Sequence, residues 1–343
     1  MMCQARTGLY LEICAAACQA GVDILRSGGS AAEAATRATM VLEDAGETNA
    51  GYGSNLTESG TVEMDAGLMD GTSLLFGSVG AVSGVKNPIL VAQKLVEEQG
   101  KGLLPLGRVP PGFLVGEGAT EWAVRHNIQT IQTEQLISCK AAKLYAHYKK
   151  KLEAYKLSVQ QRAEHAKRKR EQTRAAGAGA GACLANIENC KRLKQETDYL
   201  DANDQVRSND GATTSKLLDG NVSLGSGDGS KDLQERLQEE DHVQDTVGVV
   251  VLDRSGQVAS TVSSGGIALK QPGRVGQASC FGCGCWAQRP VQEAVNSTAV
   301  STTGECEARV RVRVTAFCCR LRGASCKNIP CQRMRKSFGD IFV

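Results

Sequence analysis

The stretch that decides the fold covers residues 244–277 and reads QDTVGVVVLDRSGQVASTVSSGGIALKQPGRVGQ. Its apolar, β-branched run Val247–Leu252 predicts a strand that is buried on both faces. The segment Asp253–Gly256 has the composition of a hairpin turn, and Gln257–Ser263 is predicted to be the returning strand. The glycine pair 265–266 then ends the extended structure, so the stretch as a whole predicts a β-hairpin.

Helices and short strands are predicted upstream of this hairpin. Ser30 followed by Glu33 is the pattern of a capping box, which marks the start of a helix that runs to about Glu43. The other predicted elements are helices at Gly8–Ser27, Asn87–Gln99 and Ala119–His126, and strands at Thr61–Asp65 and within Leu74–Val85. From the residues alone this pattern indicates an α/β or α+β protein with glycine-rich loops.

Charge is distributed unevenly along the 343 residues, although the net charge is only +3. Residues 140–200 carry 15 Lys and Arg against 6 Asp and Glu, whereas residues 201–245 carry 4 against 11. A basic block followed by an acidic one predicts a solvated insert rather than part of the core. The 14 cysteines, in a chain of this length with no secretory signal at its start, favour a reducing compartment. Since no unbroken run of 18 apolar residues occurs, no membrane span is predicted.

Several ordered motifs carry a resemblance to a known family. Asp-Thr-Val-Gly begins at Asp245, Ser-Ser-Gly-Gly begins at Ser263, and Pro-Gly-Arg-Val-Gly-Gln begins at Pro272. A further block, Asn-Ala-Gly-Tyr-Gly-Ser-Asn, begins at Asn49. With these blocks the chain resembles the threonine aspartases, N-terminal-nucleophile hydrolases of the type 2 asparaginase group. The resemblance covers roughly residues 9–130 and 244–303.

The resemblance implies an α+β fold, a four-layer α-β-β-α sandwich that lacks elements at both ends. No His-Ala-Gly-Ala-Gly-like run precedes Leu9, and only 98 residues extend from Thr246 to Val343. It also implies three portions along the chain: an α portion at 1–245, the start of a β portion at 246–304, and a diverged basic, cysteine-rich tail at 305–343. Within the α portion, the core lies at 9–130, a basic helical insert at about 134–176 and a flexible acidic segment at about 195–245.

The resemblance assigns the chemistry to Thr246. Cleavage of the Asp245–Thr246 bond would give Thr246 a free α-amine, which can accept the proton of its own hydroxyl because its reference pKa lies near 8. Ser264 is implied to be a second hydroxyl that orients Thr246. The oxyanion is expected to be stabilised by three residues, namely Thr303, Gly304 and Asn49.

Two further residues are implied to bind the substrate. Arg274 matches the arginine that binds a carboxylate in the family, and a guanidinium fork suits the side chain of an aspartate. Gln277 stands where small-molecule asparaginases carry an Asp that binds a free α-ammonium group. A neutral amide there favours an aspartate within a polypeptide, so the predicted function is an autoprocessing threonine endopeptidase that cleaves after aspartate. No cofactor is expected.

Three alternatives stay open. An asparaginase or isoaspartyl peptidase would use the same nucleophile on small substrates. A catalytically inactive truncated isoform would act only as a binding protein. A zinc module built on Cys280, Cys283 and Cys285 is the third, although a single Cys-x-x-Cys pair is a weak zinc signal and the metal expectation is none.

The family also implies partners and a location. The basic clusters Lys167–Arg170 and Lys191–Lys194 resemble a bipartite nuclear import signal, which predicts nuclear and cytoplasmic localisation. Expected partners are protein substrates with an aspartate at the cleavage site, in particular nuclear transcription regulators, and a second copy of the processed protomer in a homodimer. Direct nucleic-acid binding is not expected, because the basic residues lack interleaved aromatic side chains.

Overall fold

The computed structural model describes residues 2–175, 246–289, 297–303 and 313–314. Contacts divide the chain into two compact units, residues 1–145 together with 242–343, and residues 146–241. The first unit contains every strand that the structure describes. Of the second unit the described part is residues 146–175, which continue the long helix α5 (Cys139–Ala175).

Four helices precede α5 in the first unit. The capping box at the second of them is confirmed, because the Glu33 N–H donates to Ser30 Oγ at 3.2 Å and the Ser30 N–H donates to Glu33 Oε2 at 2.7 Å. Proline at the first position of the third helix removes a backbone donor that would have no partner there. The four helices are α1 (Met2–Arg26), α2 (Ala31–Asp44), α3 (Pro88–Gly100) and α4 (Gly116–Arg125).

The first sheet has five strands in the order β3-β2-β1-β5-β4, and β2 and β3 form its parallel pair. The predicted hairpin is confirmed as β4 and β5, with Val247 opposite Ser263 and Leu252 opposite Val258. The strand lies later than the predicted Thr61–Asp65, since β1 begins at Met64 and extends to Asp70, and it is buried beneath α3 up to Met69. The strands are β1 (Met64–Asp70), β2 (Phe76–Val82), β3 (Phe113–Val115), β4 (Val247–Leu252) and β5 (Val258–Ser264).

A smaller antiparallel sheet covers one face of the first. It consists of β6 (Cys285–Gln288), β7 (Thr298–Thr303) and β8 (Arg313–Val314). The core between the two sheets is apolar and buried, and its members are Met69, Val258, Val262, Ala278, Cys285 and Ala287. We call this face of the first sheet the inner face.

Helices cover the opposite, outer face. Ala34 and Ala35 of α2 pack on Val251 and Ala259, where their small side chains let the helix approach the sheet closely. Helix α3 packs on β1 and β2 through fully buried residues such as Leu95, each contributing about 1.5–3 kcal/mol by burial. The described residues therefore form helix, sheet and sheet layers, which confirms the α+β sandwich class.

Helix α1 forms the outermost element of the first unit. By length and composition alone, its segment Thr7–Arg26 is apolar enough to cross a membrane, and little of it is buried. Because Glu12 and Asp23 interrupt this segment, it contains no unbroken run of 18 apolar residues, which is why the sequence predicts no span here. In the structure α1 packs against α2, where a Cβ on Gly21 would lie 3.2 Å from the Ala34 carbonyl oxygen.

Candidate active site

Thr246 and Ser264 meet at the end of the β4–β5 hairpin. Val247 pairs with Ser263 in the hairpin. Thr246 precedes Val247 and Ser264 follows Ser263, so these two residues face each other although 18 positions separate them in sequence. The half-buried Thr246 hydroxyl donates to Ser264 Oγ at 2.9 Å. Donation to serine turns the hydroxyl proton away from the remaining lone pairs, which stay available for attack on a carbonyl carbon.

The turn after β5 holds Ser264 in place. The Gly266 N–H donates to Ser264 Oγ at 3.0 Å, so this oxygen accepts two hydrogen bonds, one from the turn and one from Thr246. Gly266 has a φ of +71°, which favours glycine. At Gly265 a Cβ would lie 2.5 Å from Asn49 Oδ1, so the turn approaches the Asn49 loop too closely for any side chain.

Asn49 and Asn55 fix this turn from the other side. Both side-chain amides donate to the Gly266 carbonyl at 2.8 Å, and the Gly265 N–H donates to the Asn49 carbonyl at 2.8 Å. Asn49 Oδ1 in turn accepts from the Asn55 N–H at 2.9 Å. Asn49 therefore lies beside the site as a support of the turn, and its role towards an oxyanion stays a prediction.

Arg274 ends the next turn along the chain, where its N–H donates to the Gln271 carbonyl at 3.1 Å. A Cβ placed on Gly266 would stand 3.7 Å from Arg274 Nη1, which brings the guanidinium next to the residue that bonds Ser264. The Gly265–Gly266 turn thus lies next to all three predicted groups: the nucleophile Thr246, the orienting hydroxyl of Ser264 and the guanidinium of Arg274.

A cavity of about 360 Å³ opens beside Thr246. Its walls are largely apolar and come from α1, α2 and β4, with Ser301 and Thr302 of β7 at one side. Neither Ser264 nor Arg274 lines it. Thr246 therefore borders both this cavity and the polar Ser264 turn.

Comparison with known proteins assigns the family. The family model described as asparaginase matches residues 2–325. The chain belongs to the type 2 asparaginase family. This membership confirms the N-terminal-nucleophile hydrolase class and the sandwich fold that the sequence motifs imply; the resemblance to threonine aspartases is confirmed at the level of this wider family.

The most similar relatives include proteins named isoaspartyl peptidase/L-asparaginase. The Bos taurus protein is 31% identical over 86% of this chain and 64% of its own length, and the Homo sapiens protein is 31% identical over 87% and 66%. The isoaspartyl peptidase of Escherichia coli (strain K12) is 27% identical over 88% of this chain and 66% of its own length. The chain thus spans slightly less than two thirds of the length of these relatives.

In this family member Gln277 begins a short 3-10 helix, three residues after Arg274. Its side-chain nitrogen Nε2 is buried and has no hydrogen-bond partner among the described residues. A buried amide N–H without an acceptor costs free energy, about 1–3 kcal/mol, so this amide calls for an acceptor such as a bound molecule. An amide can donate to a peptide carbonyl but cannot neutralise an ammonium group.

Asp65 was not singled out from the sequence. It faces Ser264 across the β1–β5 pair and is completely buried. Its carboxylate accepts from the Gly276 N–H at 2.7 Å and from the N–H of Ala81 at 2.8 Å, where β1 carries a bulge and Ala81 has a φ of +47°. Asp65 therefore ties the Arg274 loop to the sheet.

Lys270 was missed as well. Its side chain is 1% exposed, and its ammonium donates to the Glu63 carbonyl at 2.8 Å. Burial lowers the pKa of this ammonium below its ordinary value, while the Asp65 and Glu63 carboxylates oppose the shift. No sequence signal separates it from a surface lysine, the commoner environment for this residue type.

Three predicted residues are described only in part or not at all. Thr303 ends β7, where its backbone pairs with Arg313, one position beyond the cavity-lining Thr302. Asp245 and Gly304 lie outside the described residues. The acidic segment at 195–245 and the tail at 305–343 also lie outside them, apart from residues 313–314.

The zinc alternative gains no support in the described part of the chain, where no group of three or more His, Cys, Asp and Glu side chains could hold a metal ion. Cys280 donates to the Gly276 carbonyl at 3.5 Å, whereas Cys283 is exposed on the following turn. Burial raises the pKa of the Cys285 thiol to about 12, so it behaves as an apolar core residue.

Proposed function

We propose that this chain is an autoprocessing threonine hydrolase that cuts its own Asp245–Thr246 bond and then hydrolyses polypeptides after aspartate. The observation that carries the proposal is the 2.9 Å hydrogen bond between Thr246 and Ser264, with Arg274 beside the same turn. A threonine hydroxyl oriented at the start of a strand becomes nucleophile and base in one residue once the chain ahead of it is cut.

The first reaction is intramolecular. Thr246 Oγ1 attacks the carbonyl carbon of Asp245, the C–N bond breaks, and the nitrogen takes the hydroxyl proton and becomes the α-amine of Thr246. The resulting ester is opened by water, which restores the hydroxyl and leaves Asp245 as a terminal carboxylate. The restricted χ1 of the β-branched threonine keeps its oxygen aimed at the carbonyl.

The second reaction repeats the same steps on a substrate. The free α-amine accepts the Thr246 hydroxyl proton, and Oγ1 attacks the main-chain carbonyl carbon of the substrate aspartate. The bond from that carbon to the next nitrogen breaks, and the departing amine takes the proton. Water then hydrolyses the acyl-enzyme ester. Arg274 binds the aspartate carboxylate and so places the carbonyl within reach of Oγ1.

Gln277 supports a polypeptide substrate over a free amino acid. Its amide can donate to a backbone carbonyl of an embedded aspartate, whereas a free α-ammonium group would call for a carboxylate at this position. A second candidate function, isoaspartyl peptidase or asparaginase, is favoured by the names of the relatives. Both functions share the nucleophile and the arginine and differ in what surrounds the aspartyl group.

Mass spectrometry of the purified full chain tests the first reaction. A new N-terminus at Thr246 after incubation is expected, and a chain that stays intact would refute self-cleavage. The processed protein is then given matched polypeptides with an internal aspartate, β-aspartyl dipeptides and L-asparagine. Faster hydrolysis of the polypeptides is expected, and activity confined to the small substrates would replace the endopeptidase proposal by the second candidate.

The partners and location remain part of the proposal. The exposed residues Lys167, Arg168 and Lys169 on α5 support nuclear import of a protease that acts on nuclear transcription regulators; the second basic cluster, Lys191–Lys194, lies outside the described residues. Alanine substitution of these three residues should move a fluorescent fusion from nucleus to cytoplasm. Sedimentation of the processed protein tests the proposed homodimer.

A further inference from the structure

Lys270 is a buried cation whose bonding is incomplete. An ammonium group has three N–H donors. In the part of the chain that the structure describes, its one hydrogen bond goes to the Glu63 carbonyl, and the side chain is 1% exposed. Lysine is almost never fully buried unless it is paired, so this burial needs a compensating acceptor.

The nearest carboxylates hydrogen-bond to other groups. Asp65 uses its two oxygens to accept from the backbone N–H groups of Ala81 and Gly276. Glu63 Oε2 accepts from the Gly273 N–H at 2.8 Å. Both carboxylates favour the charged ammonium through space, yet they leave its remaining donors for another oxygen.

The ammonium and the Arg274 guanidinium flank one point beside the nucleophile. A Cβ on Gly266 would stand 3.4 Å from Lys270 Nζ and 3.7 Å from Arg274 Nη1. The N–H of the same Gly266 donates to Ser264, which accepts from Thr246. The guanidinium disfavours the charge on the Lys270 ammonium, and an anion that contacts both groups would stabilise that charge.

We propose that Lys270 is a specificity-determining residue whose ammonium, together with Arg274, binds the aspartate carboxylate of the substrate. The inference rests on the proposed function and adds a second cation to it. An ammonium and a guanidinium on one carboxylate give charge-assisted hydrogen bonds, whereas a neutral asparagine side chain forms weaker bonds with both cations.

The test compares kcat/KM for two matched polypeptides, one with aspartate and one with asparagine at the cleavage position. In the processed wild-type protein aspartate should be strongly preferred. Lys270→Met should lower the aspartate-to-asparagine ratio at least about tenfold, mainly through KM for the aspartate peptide. Lys270→Arg should keep most of the ratio. The exposed lysine Lys101, changed to Met, is the matched control and should leave the ratio unchanged.

A purely structural role for Lys270 would slow both peptides equally and leave the ratio as it is, which would overturn the inference. If wild-type protein prefers aspartate and Lys270→Met keeps that preference, the proposed function stands and the inference alone fails. A wild-type chain that neither processes itself nor cleaves any substrate would overturn the proposed function, and the inference with it.

A pH series on the wild-type protein keeps the inference testable even if the variants do not fold. The pKa of Lys270 lies below 10.5 because of burial and, to a smaller extent, Arg274, with Asp65 and Glu63 opposing the shift. The ammonium therefore loses its charge below pH 10.5, and the aspartate-to-asparagine ratio should fall as the pH rises towards that value. A ratio that stays constant over this range would contradict the inference.

Discussion

Two adjacent serines on β5 face opposite sides of the first sheet and have different environments. Ser263 points to the outer face, where its hydroxyl donates to Glu43 Oε1 at 2.7 Å. Ser264 points to the inner face and accepts from Thr246 and Gly266. Since side chains alternate along a strand, one step in sequence separates a polar contact buried under helices from the contact with Thr246, the predicted nucleophile.

The electrostatics of the two faces differ in the same way. On the outer face Glu43 is completely buried, and burial raises its pKa to about 8 even though Ser263 and the Ile89 N–H donate to it. On the inner face the cations Lys270 and Arg274 lie near the buried Asp65 carboxylate, which accepts from two backbone N–H groups. Burial alone therefore does not make a site; the outer face favours a neutral acid, whereas the inner face places two cations near the predicted nucleophile.

Removal of the nucleophile should give the largest effect and tests whether the inner face is catalytic at all. Thr246→Ala should abolish self-cleavage and lower turnover by roughly 10⁴-fold or more, because no other residue supplies both hydroxyl and amine. Thr246→Ser is the control that keeps a hydroxyl, and it should still process more slowly. The readouts are mass spectrometry of the chain and single-turnover kinetics. Full processing of Thr246→Ala would end the assignment.

The second prediction concerns the buried acid of the outer face, Glu43, and how its ionisation changes the stability of the fold. Glu43 has a folded-state pKa of about 8 against 4.5 for the free group, so the folded chain retains a proton that the unfolded chain loses between these values. Stability should therefore fall as the pH rises from about 4.5 to 8 and level off above that, by a total of about 3–5 kcal/mol from this group.

Glu43→Gln should remove that pH dependence while keeping an acceptor for Ser263. At pH 8 the variant is expected to be more stable than the wild type, with a similar free energy of unfolding at pH 5. Urea denaturation across this pH range measures the difference. If the stability of both proteins depends on pH in the same way, Glu43 ionises in the folded state as freely as in water. The claim that the outer face excludes water from Glu43 would then be wrong.

The sequence predicted the elements whose signals are local. Turn residues after Leu252 and the alternating pattern that follows them were enough to place the hairpin, and its register then brings Thr246 to Ser264. The capping box at Ser30 was equally local. Family motifs added Arg274 and Gln277, which lie on the turn and short helix that follow the hairpin.

What the sequence did not reveal depends on contacts between distant segments. Asp65 and Lys270 are charged residues that usually lie at the surface, and only packing of the β1–β5 pair against the Gly276 loop buries them. Glu43 was known as the end of a helix, but its contact with Ser263 spans 220 residues. Such burial cannot be inferred from periodicity, because charge and spacing are the same for a solvated residue.

The third prediction separates orientation from nucleophilicity on the inner face. Ser264→Ala removes the acceptor of the Thr246 hydroxyl and the acceptor of the Gly266 N–H. Turnover should fall about 10- to 100-fold through kcat, with KM nearly unchanged, because the hydroxyl persists but is no longer held in one rotamer. Steady-state kinetics of processed protein measures this split. A loss as large as that of Thr246→Ala would give Ser264 a chemical role instead.

The smallest expected effect belongs to the neighbouring serine and provides the sharpest test of the comparison. Ser263→Ala removes one of the hydrogen bonds to Glu43 and should destabilise the fold by about 1–2 kcal/mol near pH 8, where the carboxylate carries part of its charge. At pH 5 the cost should be smaller, since a protonated carboxyl accepts a weaker bond. The kcat of the processed protein should stay within about twofold of wild type, because Ser263 faces away from Thr246. Denaturation and steady-state kinetics on the same preparation test whether Ser263 acts on stability alone. A kcat loss equal to that of Ser264→Ala would mean that a change on the outer face of β5 affects the inner face.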